Sequence, residues 1–300
     1  MDDINEKMVE LLAGLTTGEG TRPSSLDGID LMRTNTHTPL TPVLYEPSIV
    51  VVAQGRKIGH VGGRSYCYDP HNYLVLTVPL PFECEIEATP ERPMLGVSIR
   101  ADLSVLSQLM ANMEGRPLPA DLPPPLGIYA TPLDRPLGEA VVRLLEQLTR
   151  PEEARVLGPQ TMREITYHVL CGEQGDALRS SLAAHGQFSR LSRTLRRIHA
   201  EYAEPLEIRA LADEAHMSLT VFHRRFKETT STPPLQYLKA VRLHKARLLL
   251  GQEGESVGEA AHRVGYESTS QFSREFKRLF GRSPSEDAAR RKKQDARTTK

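Results

Sequence analysis

The hydrophobic pattern of the last third of the chain follows helical spacing, and one short stretch occurs there twice. Residues 218–227 read SLTVFHRRFK and residues 268–277 read STSQFSREFK, so each stretch holds two phenylalanines four residues apart. This spacing puts both rings on one face of a helix, and the leading serine stands where an N-cap is needed. The pattern predicts two copies of one short amphipathic helix.

An offset of 50 residues superposes more than this helix. It pairs Ala210 with Ala260, Ala215 with Gly265, and Pro234 with Pro284. Each copy therefore reads as a short helix, a tight turn and a second helix, over about 207–230 and 256–280. Ser268 and Gln271 are expected to form a capping box at the start of the last helix.

Helical spacing divides each second helix into an apolar and a polar face. The apolar faces contain Leu219, Phe222 and Phe226 in the first copy and Phe272, Phe276 and Leu279 in the second. The polar faces contain Thr220, His223, Arg224 and Lys227, then Ser270, Ser273, Arg274 and Lys277. A helix-turn-helix unit needs this division, because its polar face enters a DNA major groove about 12 Å wide. Two helical hairpins with merely solvated charges are the alternative, and the duplication disfavours it.

The segment between the copies, residues 233–250, is apolar at helical spacing and has no breaker after its two prolines. A helix of about 17 residues is roughly 26 Å long. Such a helix would hold two recognition helices about one DNA turn, roughly 34 Å, apart. One chain would then read two successive segments of the major groove.

Charge is distributed unevenly, although the formal net charge of the chain is zero. Residues 186–300 carry 23 Lys and Arg against 14 Asp and Glu, whereas residues 1–185 carry 15 against 24. A basic C-terminal part joined to an acidic one indicates nucleic acid as the partner of the basic part. The tail RRKKQDARTTK is expected to be an extension that attracts phosphate.

The acidic part begins with short runs rich in β-branched and aromatic residues. These runs predict strands over 48–55, 71–78, 82–89 and 93–100, with a hairpin turn at Gly62-Gly63. The spacing is typical of a small antiparallel barrel or sandwich. From residue 102 the pattern becomes helical, with an apolar stripe at Leu137, Val141, Leu144, Leu145 and Leu148. We expect this stripe to pack on its own domain, with a dimer interface as the alternative.

Several function classes lack their sequence signals. A length of 300 residues fits two domains, and no apolar run is long enough for a membrane span. Three cysteines without a C-x-x-C pair indicate a reducing cytoplasm and argue against disulfides or structural zinc. His37, His60 and His71 form no H-x-H pair of the kind a cupin metal enzyme would use. We therefore expect no enzyme activity, no metal and no cofactor.

The repeated part resembles the DNA-binding domain of AraC/XylS-type transcriptional regulators, most clearly in GYESTSQFSREFKRLFGRSP at 265–284. The resemblance implies double-stranded promoter DNA as partner and RNA polymerase as a second contact, which favours activation. The base-reading positions of the family correspond here to Thr220, His223 and Arg224, then Thr269, Ser270, Ser273 and Arg274. Thr220 stands where the family often has tryptophan.

Residues from about 40 to 175 resemble the cupin-like N-terminal domain of one AraC-type subgroup, on YEPSIVVVAQGRKIGHVGGRSYCYDPHNYLVLTVPLPFECEIEATPERP. The resemblance implies a β-barrel that binds a small-molecule effector and mediates homodimer formation. We therefore expect an α+β protein of two domains. Residues 1–185 would form the barrel with a helical hairpin, residues 186–300 the all-α double helix-turn-helix, and residues 172–186 the hinge.

Two cysteines on predicted strands suggest a second way of sensing. Cys67 or Cys84 would react with an electrophile such as an aldehyde if positive charge nearby lowered its pKa. Tyr66, Tyr68 and Tyr73 are candidates for lining an effector pocket. Core packing is the alternative for all five side chains. The competing functions are a cupin metal enzyme and a DNA-architecture protein without an effector.

Overall fold

The computed structural model describes residues 1–113, 127–182 and 187–290. The predicted basic tail beyond Arg290 and residues 183–186 of the predicted hinge lie outside this range. Internal contacts define two compact units. The first comprises Met1–Leu40, Tyr45–Leu80 and Cys84–Ser189, and the second Arg190–Lys300 with the short segments Thr41–Leu44 and Pro81–Glu83. The assignment of separate functions to 1–185 and 186–300 stays a prediction.

Within the ranges that the structure describes, the N-terminal part has ten strands in two sheets. They are β1 (Gly20–Pro23), β2 (Ile29–Thr34), β3 (Thr38–Tyr45), β4 (Ser48–Gln54), β5 (Arg56–Val61), β6 (Arg64–Tyr68), β7 (Asn72–Leu76), β8 (Leu80–Glu87), β9 (Met94–Arg100) and β10 (Ile128–Pro132). One sheet has the order β1-β2-β9-β4-β7-β10 and the other β3-β8-β5-β6. The four strands predicted from the pattern are confirmed to within two residues at each end. The first three strands and β10 were not predicted.

The predicted hairpin joins β5 and β6, with Val61 opposite Arg64 across the Gly62-Gly63 turn. Both glycines have positive φ, 57° and 78°, as a two-residue hairpin turn of this type requires. Strand β4 is buried on both faces of its sheet. Helices cover one of these faces, and the alternate residues of the strand point to the opposite face, which is buried as well. This buried second face is the interior that the candidate effector residues below occupy.

Five helices are seen in the described residues of this part of the chain. They are α1 (Asp2–Leu15), α2 (Leu103–Asn112), α3 (Arg135–Leu148), α4 (Pro151–Cys171) and α5 (Gly175–Leu182). Helices α3 and α4 form the expected hairpin, and the predicted stripe from Leu137 to Leu148 lies in the core with Ile49, Val51 and Val97. Packing on its own domain is therefore confirmed for the stripe. Helix α1, which the pattern did not predict, buries Ile4, Met8 and Leu12 in the same core.

The C-terminal part is helical throughout its described elements. They are α6 (Gln187–Ala200), α7 (Ile208–Glu214), α8 (Leu219–Thr230), α9 (Pro234–Leu248), α10 (Val257–Arg263) and α11 (Thr269–Phe280). Helix α9 is the predicted connection, and it continues into a π-helical turn over Leu249–Glu253. Both helix-turn-helix units are confirmed as α7-α8 and α10-α11. No helix of the described chain is long and apolar enough to cross a membrane.

Candidate nucleic-acid interface and sensor cluster

Helices α8 and α11 begin in the same way. The Ser218 hydroxyl accepts a hydrogen bond from the Val221 N–H at 3.4 Å, and the Ser268 hydroxyl accepts one from the Gln271 N–H at 3.3 Å. Both serines are therefore N-caps, as predicted. The predicted capping box at Ser268 is wrong, because the Gln271 amide donates forward to Glu275 instead of back to the cap.

Two phenylalanines pack each of these helices against its own helix-turn-helix unit. Phe222, Phe226, Phe272 and Phe276 are fully buried, and the ring centroids within each pair are 5.5 and 5.6 Å apart. Burial of each ring is expected to stabilise its copy, because aromatic side chains remove much apolar area from water. Leu219 was predicted on the same apolar face, and this prediction is wrong, since its side chain is 38% exposed.

The turns show that the two copies differ by one residue. In the first turn His216 has φ 52° and the Met217 N–H donates to the Ala212 carbonyl; in the second, Gly265 has φ 86° and the Tyr266 N–H donates to Ala261. The first helices and turns therefore superpose at an offset of 49. The pairings of Ala210 with Ala260 and of Ala215 with Gly265 at offset 50 are therefore wrong. Glu267 is the extra residue that restores the offset of 50 before Ser268.

Eight of the nine predicted DNA-binding side chains are exposed. They are Thr220, His223, Arg224, Lys227, Thr269, Ser270, Arg274 and Lys277. Ser273 is half-buried, since it lies between this face and the buried phenylalanines. Hydroxyl, imidazole, guanidinium and ammonium groups thus project from one side of each helix, where they are free to reach phosphates and base edges.

The arginines of the two copies have different surroundings. Arg224 lies 4.0 Å from Glu228, which also pairs with Arg225 at 2.9 Å. Arg274 makes no ion pair with any residue that the structure describes. The second copy therefore presents its guanidinium to a ligand without first breaking an internal contact.

Helix α9 fixes the second turn through Arg242, which the pattern did not single out. Its guanidinium donates to the carbonyls of Tyr202, Glu204 and Gly265 at 2.7, 2.9 and 3.0 Å. Burial lowers the pKa of Arg242 from its ordinary value. Arg242 thereby joins the segment of Tyr202 and Glu204 to the turn at Gly265 and holds the second helix-turn-helix unit in place.

Cys67 lies on β6 among acidic groups. Its thiol is 3.6 Å from the Asp69 carboxylate, and burial together with that carboxylate raises the pKa of Cys67. Arg56 is the nearby cation that counteracts the rise. A raised pKa leaves little reactive thiolate, so the environment disfavours Cys67 as a nucleophile.

Cys84 belongs to a buried polar cluster between the two sheets. Its sulfur is 3.3 Å from the Tyr68 hydroxyl, and the Lys57 ammonium is 2.6 Å from the Tyr45 hydroxyl and 3.8 Å from the Met32 sulfur. That ammonium also lies over the rings of Tyr45 and Tyr68, 5.3 and 5.7 Å from their centroids. Among the described residues no carboxylate pairs with it.

The protonation states of this cluster follow from burial and mutual contact. Burial alone would lower the pKa of Lys57, but the adjacent Tyr45 hydroxyl and Cys84 thiol outweigh burial and raise it. Burial is also the main reason that the pKa of Tyr68 lies well above its usual value. Lys57 is therefore a charged group inside the barrel. Strict alternation along β5 predicts its inward orientation, because Lys57 shares a face with Gly59 and Val61.

The three candidate tyrosines do not line one pocket. Tyr68 is in the cluster between the sheets, whereas Tyr73 is buried on the helical side of the larger sheet. Tyr66 is half-buried on β6. The predicted common pocket is therefore wrong, and Tyr68 with Cys84 is the combination that the fold brings together.

Two of the histidines in the N-terminal part have polar neighbours. The His37 ring is 3.9 Å from Glu85, and His60 contacts Ser65 at 3.1 Å. Within the described ranges no group of three His, Cys, Asp or Glu side chains has a geometry that would hold a metal ion.

Two family models match most of the chain. Residues 25–177 match the AraC-type transcriptional regulator N-terminus, and residues 211–290 match a helix-turn-helix domain. The transcriptional activator RhaS of Escherichia coli O1:K1 is 33% identical over 147 residues, which are 49% of this chain and 52% of RhaS. RhaS of Enterobacter sp. strain 638 is 32% identical over 151 residues, 49% of this chain and 53% of that protein. The matches thus span about half the length of these curated relatives.

Solved structures share the fold across most of the chain. ToxT of Vibrio cholerae O395, bound to a methylnaphthalenyl butenoic acid, has a TM-score of 0.61 at 13% identity and covers 87% of this chain and 97% of ToxT. ToxT of strain SCE256, bound to an unsaturated fatty acid, has a TM-score of 0.59 at 10% identity, with coverage of 90% and 96%. At such identities the likeness concerns the fold alone.

Proposed function

Because the chain belongs to the AraC-type transcriptional regulators, we propose that it binds promoter DNA through α8 and α11 and regulates transcription in response to an effector. The observation that carries the proposal is the pair of serine-capped helices whose polar faces expose Thr220, Arg224 and Lys227, and Ser270, Arg274 and Lys277. Each helix would enter a major groove, with the helix-turn-helix geometry orienting its N-terminal half toward base edges.

A binding experiment on the full chain tests this proposal. Double-stranded DNA selected from a random pool should bind specifically, and the affinity should fall steeply as salt rises, because lysine and arginine displace counterions from phosphates. The variant Arg274→Ala should relax the preference at one base pair of the selected sequence. Binding that is insensitive to salt, or a pool that yields no preferred sequence, would overturn the proposal.

The effector is proposed to occupy the interior of the N-terminal barrel, near Lys57. A buried ammonium without a carboxylate partner favours an acidic effector, since its anionic group would neutralise the charge. The ToxT structures with a butenoic acid and a fatty acid support this class of ligand by analogy of fold. Melting of the full chain with a panel of carboxylic acids tests it. Lys57→Met should abolish a stabilisation that the wild type shows.

Sensing through a cysteine is the second candidate, and Cys84 is the residue that its surroundings favour. The Cys84 sulfur lies 3.3 Å from the Tyr68 hydroxyl, which would relay the thiol proton to the carbonyl oxygen of an aldehyde as the sulfur adds to the carbonyl carbon. Intact mass after treatment with a small aldehyde tests this proposal. An adduct that persists in Cys67→Ser and disappears in Cys84→Ser is expected; no adduct on Cys84 would overturn it.

Pairing of two protomers is proposed through helix α4. Val156 is 60% exposed and Tyr167 43% exposed, and three helical turns between them place both on one face. Leu157 beside Val156 extends this apolar surface. We expect Val156→Glu to shift the full chain toward monomer in sedimentation velocity.

Contact with RNA polymerase and activation also remain proposals, and transcription from the selected DNA sequence in a purified system would test them.

A further inference from the structure

The second recognition helix carries a buried polar anchor that the first lacks. The Glu275 carboxylate accepts from the Lys239 ammonium of α9 at 2.6 Å, the Tyr266 hydroxyl at 2.8 Å and the Gln271 amide at 3.2 Å. Its side chain is only 12% exposed. A carboxylate with three donors, one of them charged, holds each donor in a defined position.

The partners of Glu275 belong to the framework of the domain. Tyr266 is buried in the turn, and Lys239 lies on the helix that joins the two copies. Burial alone would raise the pKa of Glu275, but the bonds from Lys239, Tyr266 and Gln271 outweigh it, and the pKa lies below the ordinary value. The carboxylate is therefore ionised whenever the protein is near neutral pH. An anchored acceptor that is charged at neutral pH therefore lies one helical turn after the exposed Gln271 on α11.

Gln271 is the one member of this network that solvent reaches freely. Its side chain is exposed, one helical turn before the anchor and three residues before Arg274. An ionised carboxylate only accepts hydrogen bonds, so the nitrogen of the Gln271 amide must face Glu275. The amide oxygen and the second N–H then point away from the anchor, and the oxygen accepts nothing from the described residues.

An amide fixed in this way has a defined preference among the bases. An outward oxygen and N–H match the N6 amino group and N7 of adenine in the major groove. We propose that Gln271 reads an adenine in the DNA segment bound by α11 and that the Lys239–Glu275–Tyr266 network positions its amide for this contact. The inference rests on the proposed DNA-binding function and adds a base-reading residue and its positioning residue.

The first copy provides the contrast that makes the assignment specific. Val221 occupies the position of Gln271, and Arg225 occupies that of Glu275. Neither the amide nor its carboxylate anchor exists there. The network is not needed merely to hold a recognition helix on its domain, because Phe222 and Phe226 hold the first helix there without it.

The test uses the full chain and a duplex carrying the sequence that it selects from random double-stranded DNA. Each base pair facing α11 is replaced in turn, and affinities are compared for wild type, Gln271→Ala, Glu275→Gln and the double variant. We expect an adenine whose replacement weakens wild-type binding about tenfold. Gln271→Ala should abolish this discrimination while leaving the other positions unchanged.

Glu275→Gln should also reduce discrimination at that adenine, with no further effect in the Gln271→Ala background. Glu228→Gln is the matched control, because it removes one negative charge from the other recognition helix and should leave the adenine preference intact. Melting temperatures show whether a variant has lost its fold. A selected sequence at which Gln271→Ala changes no base preference overturns this inference alone. Failure to select any sequence overturns the proposed function as well.

Discussion

The two helix-turn-helix units use the same means to seat a recognition helix and different means to orient it. Both have a helix of 12 residues, a serine cap and a fully buried pair of phenylalanines. Beyond these features they diverge in the turn and in the polar groups next to the exposed face. Capping and burial therefore place a helix on its domain, whereas the neighbouring polar contacts decide how firmly its surface is held.

The turns illustrate the difference in backbone freedom. The left-handed residue of the first turn, His216, is exposed, so its side chain extends into solvent. At Gly265 a Cβ atom would lie 2.4 Å from the Ala203 carbonyl oxygen and 3.0 Å from the Arg242 guanidinium. The second turn therefore needs glycine for space as well as for its φ angle.

The charges near the two helices are arranged in opposite ways. At equivalent positions the first copy has Arg225 and Glu228, and the second has Glu275 and Arg278. Glu228 pairs with cations on the helix surface, whereas Glu275 reaches inward to Lys239 and Tyr266. We infer that the side chains on the polar face of α8 rearrange when they bind DNA. Those on the polar face of α11 are held in position before DNA binds.

Removal of a buried ring should affect both units to the same large extent. Phe222→Ala and Phe272→Ala are each expected to cost about 3–5 kcal/mol of unfolding free energy, because both leave a cavity in a fully buried site. Denaturant titration of the full chain, followed by a probe in the C-terminal unit, measures the loss. A difference of more than about 2 kcal/mol between the two variants would contradict equivalent seating.

The turns should separate the copies. Gly265→Ala is expected to destabilise the unit by roughly 3 kcal/mol, since a left-handed alanine costs about 1–2 kcal/mol and the clash with Ala203 adds overpacking. His216→Gly should stay within about 1 kcal/mol of wild type, because relief of strain offsets the greater freedom of the unfolded chain. Thermal melting of both variants measures the contrast, and similar losses in the two would refute it.

Sequence reasoning predicted the features that repeat and failed where the copies differ. The phenylalanine spacing, the serine caps and the connecting helix α9 follow from local periodicity and capping chemistry. The extra residue Glu267 was missed because an alignment at one offset cannot show a length change inside a turn. Leu219 was misplaced because helical spacing assigns a face without telling how far burial extends at the helix end.

The same limit applies to the polar anchors and to the barrel. Gln271 was noticed only as a partner for Ser268, since the sequence does not show that Glu275 competes for its amide. Lys57 was overlooked although alternation along β5 points it inward. Strand β10 follows a segment of helical pattern and joins its sheet through β7, a long-range pairing that local patterns do not predict.

Arg224 and Arg274 provide the next comparison, on DNA. Arg274→Ala is expected to cost about 1–3 kcal/mol at its cognate base pair, since this guanidinium has no internal ion pair to break among the described residues. Arg224→Ala should cost less, because the wild-type side chain gives up its contact with Glu228 on binding. Affinities for the selected duplex and for single-base variants measure both. A uniform loss over all sequences would show that the arginine contacts only phosphate.

The smallest expected difference concerns the two glutamates and depends on pH. The low pKa of Glu275 means that its carboxylate stabilises the fold above the ordinary value of 4.5 and loses this effect as the pH falls through the lower folded value. At pH 7 we expect Glu275→Gln to cost about 1 kcal/mol, because the charge strengthens its three hydrogen bonds. The melting difference from wild type should shrink as the pH falls from 7 to 3. Glu228→Gln should change stability by only about 0–1 kcal/mol throughout, as exposed ion pairs do. A pH-independent difference for Glu275→Gln would mean that shape, and not charge, makes this residue an anchor.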